Sequence, residues 1–534
     1  MSSRRDGCWP GRGPDSPPFQ GGEGSLPLAS RASGALSGGM AVRFFAAFAF
    51  LLLALPASAE PVSTEALRRH IDVLASDAFA GREPGTEGEQ KSIAYIAGQM
   101  RSFGLEPAGP SNSWYQPLEV TLRRPGDQTS IWRVRGRKSE RIELGRDELI
   151  LYGRSARETL DSAPVIFAGH GAVIADKGVN QLAGADLKGA VVLILYDAPE
   201  AAGFPGYSER AEAVAAAGAA AVIGIIGQEL PWPIVQRVYD AGQKKLSIHA
   251  PPPLAGAMSQ AAAETLLRAA GHDFAALLAT PGPSFTPVPL KLRASFEVAT
   301  AIETIRTNNV IGRIRGSGGG RESLLYLAHW DHLGLCDKEG PDRICNGAVD
   351  NASGVAALLE IARALGRGER PRRDILFLAT TAEEMGLLGA EYFASRPVVP
   401  LRSIVAAINM DTLAITPKGE PVAVMGRGHE ALDAVIDRTI AESGRTPDRD
   451  DEAAAFVQRQ DGWAFTRAGV PSIMVGGSFA DMKALGAFLG GPYHSAADNP
   501  GPGLLLDGAA EDTDLMIALG LKLADPALYA WPGR

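Results

Sequence analysis

From residue 308 onward the chain alternates short apolar runs with amphipathic stretches of helical period. The runs at 310–314, 324–328, 375–379, 405–409 and 473–475 are continuous rather than alternating, the pattern of strands buried on both faces. Between them, 354–365 puts Val355, Leu358, Leu359 and Ala362 on one helical face. Strands alternating with helices predict an α/β fold, a mostly parallel mixed sheet with helices on both faces. Ligands of such sheets gather beyond the carboxyl ends of the strands. Upstream, 63–104 predicts two helices. Ser63 caps the first, and Thr86 and Glu89 have capping-box spacing ahead of the second. In that second helix Ile93, Ile96, Met100 and Phe103 recur at helical spacing until Gly104. The intervening Gly81-Arg82-Glu83-Pro84-Gly85-Thr86 is turn chemistry, and Arg82 is read as part of that turn.

The segment 115–153 alternates as strands do, and beyond about 157 the character changes. A strand at 165–167 runs into the turn Gly169-His170-Gly171, and a buried strand follows at 191–195. An alanine-rich helix at 211–220 leads into a strand at 221–226, with proline-rich breaks at 250–254 and 281–289. The expected organisation is a main body from 60–156 and 291–534, interrupted by an inserted β-rich domain at 157–290. A chain of 534 residues is longer than one core usually serves, which also favours two domains.

The first 39 residues are rich in glycine and proline and show no periodicity, the character of an unfolded or untranslated extension. Met40 then opens a short positive region at Arg43, an apolar run to Leu55 and the small-residue end Pro56-Ala57-Ser58-Ala59. This is the pattern of a secretory signal peptide at 40–59, which places the product in the periplasm or outside the cell with no stable membrane anchor. Cys336 and Cys345 are the two cysteines beyond it, and in an oxidising compartment a disulfide is expected. A net charge of −9 without a basic cluster excludes nucleic acid as the expected partner.

Chemistry concentrates just past the predicted strands. His329-Trp330-Asp331 follows the run at 324–328, and Asp331 is placed to hold the second ring nitrogen of a ligating His329. Asp350-Asn351-Ala352-Ser353-Gly354 runs into a helix, where Asp350 is either an N-cap or a bridging carboxylate. Glu383 and Glu384 stand between an apolar strand and a glycine turn, a poor place for idle charge. Asp411 ends the run at 405–409, and Tyr493-His494 supplies a last imidazole with Asp498 as its acceptor. His329, Asp350, Glu384, Asp411 and His494 together make the donor set for two zinc-type cations. Glu383, beside a ligand, is the candidate general base. His332 is given a structural place and His170 a turn.

Seven pieces in order carry a resemblance: Gly81-Arg82-x-Pro84-Gly85-Thr86, Asn309-Val310-Ile311-Gly312, His329-x-Asp331, Asp350-Asn351-Ala352-Ser353-Gly354, Glu383-Glu384-x-Gly386-Leu387, Asn409-Met410-Asp411 and Tyr493-His494-x-x-x-Asp498. They resemble the two-zinc aminopeptidase family that includes bacterial leucyl aminopeptidases, glutamate carboxypeptidase, glutaminyl cyclase and the transferrin receptor. The resemblance implies a zinc-exopeptidase fold with a protease-associated domain as the insert, two zinc ions and peptide substrates. It implies that His329 and Asp411 bind one zinc, Glu384 and His494 the other, and that Asp350 bridges. It gives Glu383 the role of base, Asp331 that of orienting His329, and Tyr493 that of stabilising the oxyanion; the Asp350–Asn351 peptide is expected to be cis. The chain departs from relatives at Gln460-Asp461-Gly462, where they carry Ser-Asp-His or similar, which bears on specificity. Aminopeptidase activity is the leading expectation. A carboxypeptidase of acidic C-termini, a glutaminyl-cyclase-like acyltransferase and a non-catalytic binding protein are the alternatives.

Overall fold

The computed structural model describes residues 60–534 apart from 135, 137–140, 198, 200–203, 251, 279–281, 283–284, 337–339, 451, 532 and 534. The expected extension at 1–39 and signal peptide at 40–59 lie outside the described residues. No described helix is long and apolar enough to cross a membrane.

Four parallel strands form the centre: Ser472–Gly476, Ile404–Asn409, Ser323–His329 and Asp374–Thr380, in that spatial order. Ala423–Met425 closes one side antiparallel, and the end of Val288–Ile314 lies antiparallel on the other, with Val310 opposite Ala379. Every residue of the strands at 323–329, 374–380 and 404–409 is buried, so both faces are covered as the continuous apolar runs require. Leu324, Tyr326 and Ala328 face the helices Thr64–Leu74, Gly354–Arg367 and Leu506–Leu523. Leu325 and Leu327 face Leu388–Ser395 and Gly462–Arg467, through Phe393 and Phe465. The alternation follows from the two-residue period of a strand. The fold is thus α/β with a mostly parallel mixed sheet and helices on both faces.

A continuous ribbon ties this sheet to the rest. Tyr115–Val134 and Val288–Ile314 pair antiparallel from Tyr115 opposite Val310 to Val134 opposite Leu292. At its far end Val288–Ile314 also pairs with Arg157–Phe167. That strand starts a second parallel set, continued by Val191–Leu195, Ala221–Ile226 and Leu254–Ser259, with Leu149–Tyr152 as antiparallel edge. Helices Tyr207–Ala216, Trp232–Ala241 and Gln260–Ala269 alternate with these strands. The region expected to be β-rich is therefore itself α/β, with a helix after each of the strands Val191–Leu195, Ala221–Ile226 and Leu254–Ser259. Its core takes Trp132, Leu149 and Leu151 from before residue 157 and Leu292 and Phe296 from after residue 290.

The N-terminal helices are Thr64–Leu74, capped by the Ser63 hydroxyl accepting the Ala66 N–H at 3.1 Å, and Glu87–Ser102. The expected capping box is displaced: Glu89 accepts the N–H of Gly85 at 2.6 Å, and the Thr86 hydroxyl donates to the Glu83 carbonyl. Cys336 and Cys345 form a disulfide, with Cα atoms 5.7 Å apart.

Candidate metal centre

The carboxyl ends of the parallel strands bring the expected donors together. His329 is the last residue of its strand, Glu383 and Glu384 follow Asp374–Thr380, and Asp411 follows Ile404–Asn409. Asp350 comes from the turn before Gly354–Arg367, with a cis Asp350–Asn351 peptide, and His494 from the loop after Met482–Leu489. Ala382, Thr412 and His494 all have positive φ, which costs non-glycine residues energy and is tolerated where neighbours dictate the backbone.

Two clusters share Asp350. His329 Nε2 lies 3.3 Å from Asp350 Oδ1, 3.6 Å from Asp411 Oδ2 and 4.0 Å from Glu383 Oε2. His494 Nε2 lies 3.3 Å from Asp350 Oδ2 and 3.0 Å from Glu384 Oε2. The two oxygens of one carboxylate thus face two different imidazoles. His329, Glu383 and Asp411 form one group able to hold a metal ion, and His332, Asp350 and Glu384 form another.

The second group revises the place given to His332. Its Nδ1 is 2.7 Å from Glu384 Oε1 and 3.8 Å from Asp350 Oδ2, and its side chain is fully buried. The spacing of a second histidine three residues after His329 was the available signal. Two further expectations are corrected. The Nδ1 of His329 meets the main-chain carbonyl of Asp331 at 3.2 Å, while the nearer carboxylate oxygen is at 3.9 Å. That oxygen instead accepts the N–H of Glu383 at 3.1 Å. Asp498 does not serve His494 but accepts the N–H groups of Val349 and Asp350, at 2.9 and 3.0 Å. Arg82 is more than a turn residue. Fully buried, it donates to the carbonyls of Trp330, Leu74, Asn346 and Gly347, pinning the loops that carry His329 and Asp350.

The electrostatics follow from crowding. Burial opposes protonation of His329, yet the Glu383, Asp411 and Asp350 carboxylates outweigh it and hold the imidazole well above the ordinary range. His494 rises to about 9 for the same balance, driven by Asp350 and Glu384. Burial raises Glu383 well above a normal carboxylate, with Asp461, Asp411 and Glu384 adding to it and His329 opposing. Burial would also raise Asp350 and Glu384, but hydrogen bonds with the histidines keep both low. Behind them burial lifts Asp331 to about 8 and Asp461 to about 6. A buried set of carboxylates this dense fits divalent cations, and the buried Nε2 of His494 stands between carboxylate oxygens of Glu384 and Asp350, at 3.0 and 3.3 Å.

An adjoining pocket is lined by Asp350, Glu383, Asp411 and Tyr493 together with Met425, Phe456, Phe479, Leu485, Leu489, Arg459 and Gln460. Tyr493 stacks on His494 with ring centroids 3.7 Å apart.

The family model described as peptidase family M28 matches residues 309–502, which contain every donor of this centre. Similar to this chain is the probable lipoprotein aminopeptidase LpqL of Mycobacterium tuberculosis, 29% identical over 214 residues, covering 37% of this chain and 38% of that protein. Aminopeptidase NAALADL1 of Mus musculus is 35% identical over 139 residues, 24% of this chain and 17% of that one. The chain thus spans less than two fifths of the length of these curated relatives. A similar solved structure is the aminopeptidase from Aneurinibacillus sp. strain AM-1, 18% identical, covering 86% of this chain and 93% of that chain with a TM-score of 0.49.

Proposed function

We propose that the protein is an exported, zinc-dependent aminopeptidase that removes N-terminal residues from peptides. The observation that carries this is Asp350, whose two carboxylate oxygens each lie 3.3 Å from a different imidazole, those of His329 and His494. His329 and Asp411 would hold one zinc, Glu384 and His494 the other, and Asp350 both. When bound, such ions polarise the scissile carbonyl and ease deprotonation of water near neutral pH. Glu383 takes the proton of the attacking water on its carboxylate and returns it to the leaving amine. Tyr493, stacked on His494, faces the same cavity and is suited to donate its hydroxyl to the developing oxyanion. Met425, Phe456, Phe479, Leu485 and Leu489 favour an apolar N-terminal side chain. Export rests on the 40–59 pattern alone.

One observation favours a second reading, a carboxypeptidase. Arg459 lines the cavity, its guanidinium sits 5.6 Å from the Phe456 ring centroid, and no carboxylate pairs with it among the described residues. A C-terminal carboxylate would suit it. Paired peptides with free and acetylated N-termini decide, assayed with and without chelator. Chelator-sensitive cleavage of the free peptides alone supports the aminopeptidase. Cleavage of both points to the carboxypeptidase, and cleavage of neither overturns both readings.

A further inference from the structure

The histidine beside Glu384 has a geometry of its own. Its Nδ1 lies 2.7 Å from Glu384 Oε1, a hydrogen-bond distance, while His494 Nε2 faces the other oxygen, Oε2, at 3.0 Å. Glu384 is thereby divided between two imidazoles. An unprotonated Nδ1 would set a lone pair against a carboxylate oxygen, so the ring hydrogen belongs on Nδ1. The Nε2 of His332 is buried without a partner among the described residues, so packing holds that side of the ring. Gly347 makes the room: with φ of +57°, a Cβ there would lie 2.6 Å from His332 Cγ. The His332 ring also meets His494 edge-on, with centroids 5.7 Å apart.

We propose that His332 is a positioning residue for the metal centre, donating Nδ1–H to Glu384 Oε1 so that Oε2 is presented to the ion shared with His494 and Asp350. This rests on the two-metal reading above. A glutamate has three side-chain torsions to freeze, and a fixed donor on one oxygen decides which oxygen is offered before the ion arrives. The donor also offsets the repulsion of Glu384 by Asp350.

The test is a zinc-binding isotherm on the chelated, refilled full-length protein, for wild type, His332→Phe and His332→Asn. Phe keeps ring volume without a donor; Asn returns an N–H near the Nδ1 position. The expected result is that His332→Phe weakens one of two binding events by about tenfold or more, the usual effect of removing a partner that orients a ligand, leaving the other event within about threefold. His332→Asn recovers most of the loss. An unchanged isotherm for His332→Phe overturns the proposal. So does an Asn variant as weak as Phe, and so does equal weakening of both events together with a lower melting temperature of the chelated protein. A wild-type protein that binds a single zinc overturns the two-metal reading and this inference with it, whereas two zinc events without peptidase activity leave His332 in place and remove only the proposed reaction.

Discussion

Asp331 holds Glu383 by its main chain: Asp331 Oδ1 accepts the Glu383 N–H at 3.1 Å, linking the loop of one candidate ligand to the candidate base. Asp331 thus supports the base as directly as it supports His329. Substituting Glu383→Gln leaves that backbone bond intact and removes only the proton acceptor. Turnover should fall by about a hundredfold to ten-thousandfold while zinc content stays at wild-type level. Steady-state kinetics beside elemental analysis reads both, and near-normal turnover would remove Glu383 from the mechanism.

Arg82 serves four carbonyls from one buried guanidinium, and each buried acceptor left without a donor costs about 1–3 kcal/mol. Arg82→Ala should destabilise the protein by at least about 3 kcal/mol and lower its melting temperature far more than Arg402→Ala on the surface. Equal melting temperatures would show that the loops hold themselves.

The chelated protein should lose stability as pH rises from about 4 to about 9. Burial raises Asp331 from 3.8 to about 8 and Asp461 from 3.8 to about 6. Burial would lower His494, but its neighbouring carboxylates lift it from 6.5 to about 9. A group raised on folding contributes stability that is complete below its ordinary value and lost as pH climbs through its folded value, so all three act in one direction. Asp350 and Glu384 are lowered and act only at the acid end. Melting curves across this range should slope downward for the chelated protein and flatten on adding zinc; a rising curve for the chelated protein contradicts the assignment.

The Cys336–Cys345 bond closes a short loop, worth about 2–3 kcal/mol by loop closure alone. Cys336→Ser with Cys345→Ser should lower the melting temperature under oxidising conditions and make it insensitive to reductant. A melting temperature unchanged by the double substitution would show that the loop is held by other contacts.

The parallel sheet was legible because its strands are buried on both faces and read as unbroken apolar runs. The candidate donors were legible because they stand at the ends of those runs. Three things were hidden. His332 could not be told from a core histidine without the ring's direction. The partners of Asp331 and Asp498 are main-chain N–H groups, which every residue carries and no sequence marks. The long pairing of Tyr115–Val134 with Val288–Ile314 joins segments separated by the whole insert, and alternation alone does not name a partner.

That pairing has a mechanical consequence. Two lobes joined by loose linkers swing on hinges, but here one strand, Val288–Ile314, runs from the second parallel set past Asn309, whose side chain accepts the N–H of Thr381 two residues before Glu383. Displacement of the far lobe must flex a paired ribbon, like a plank bent rather than a door opened, and the load arrives beside the base.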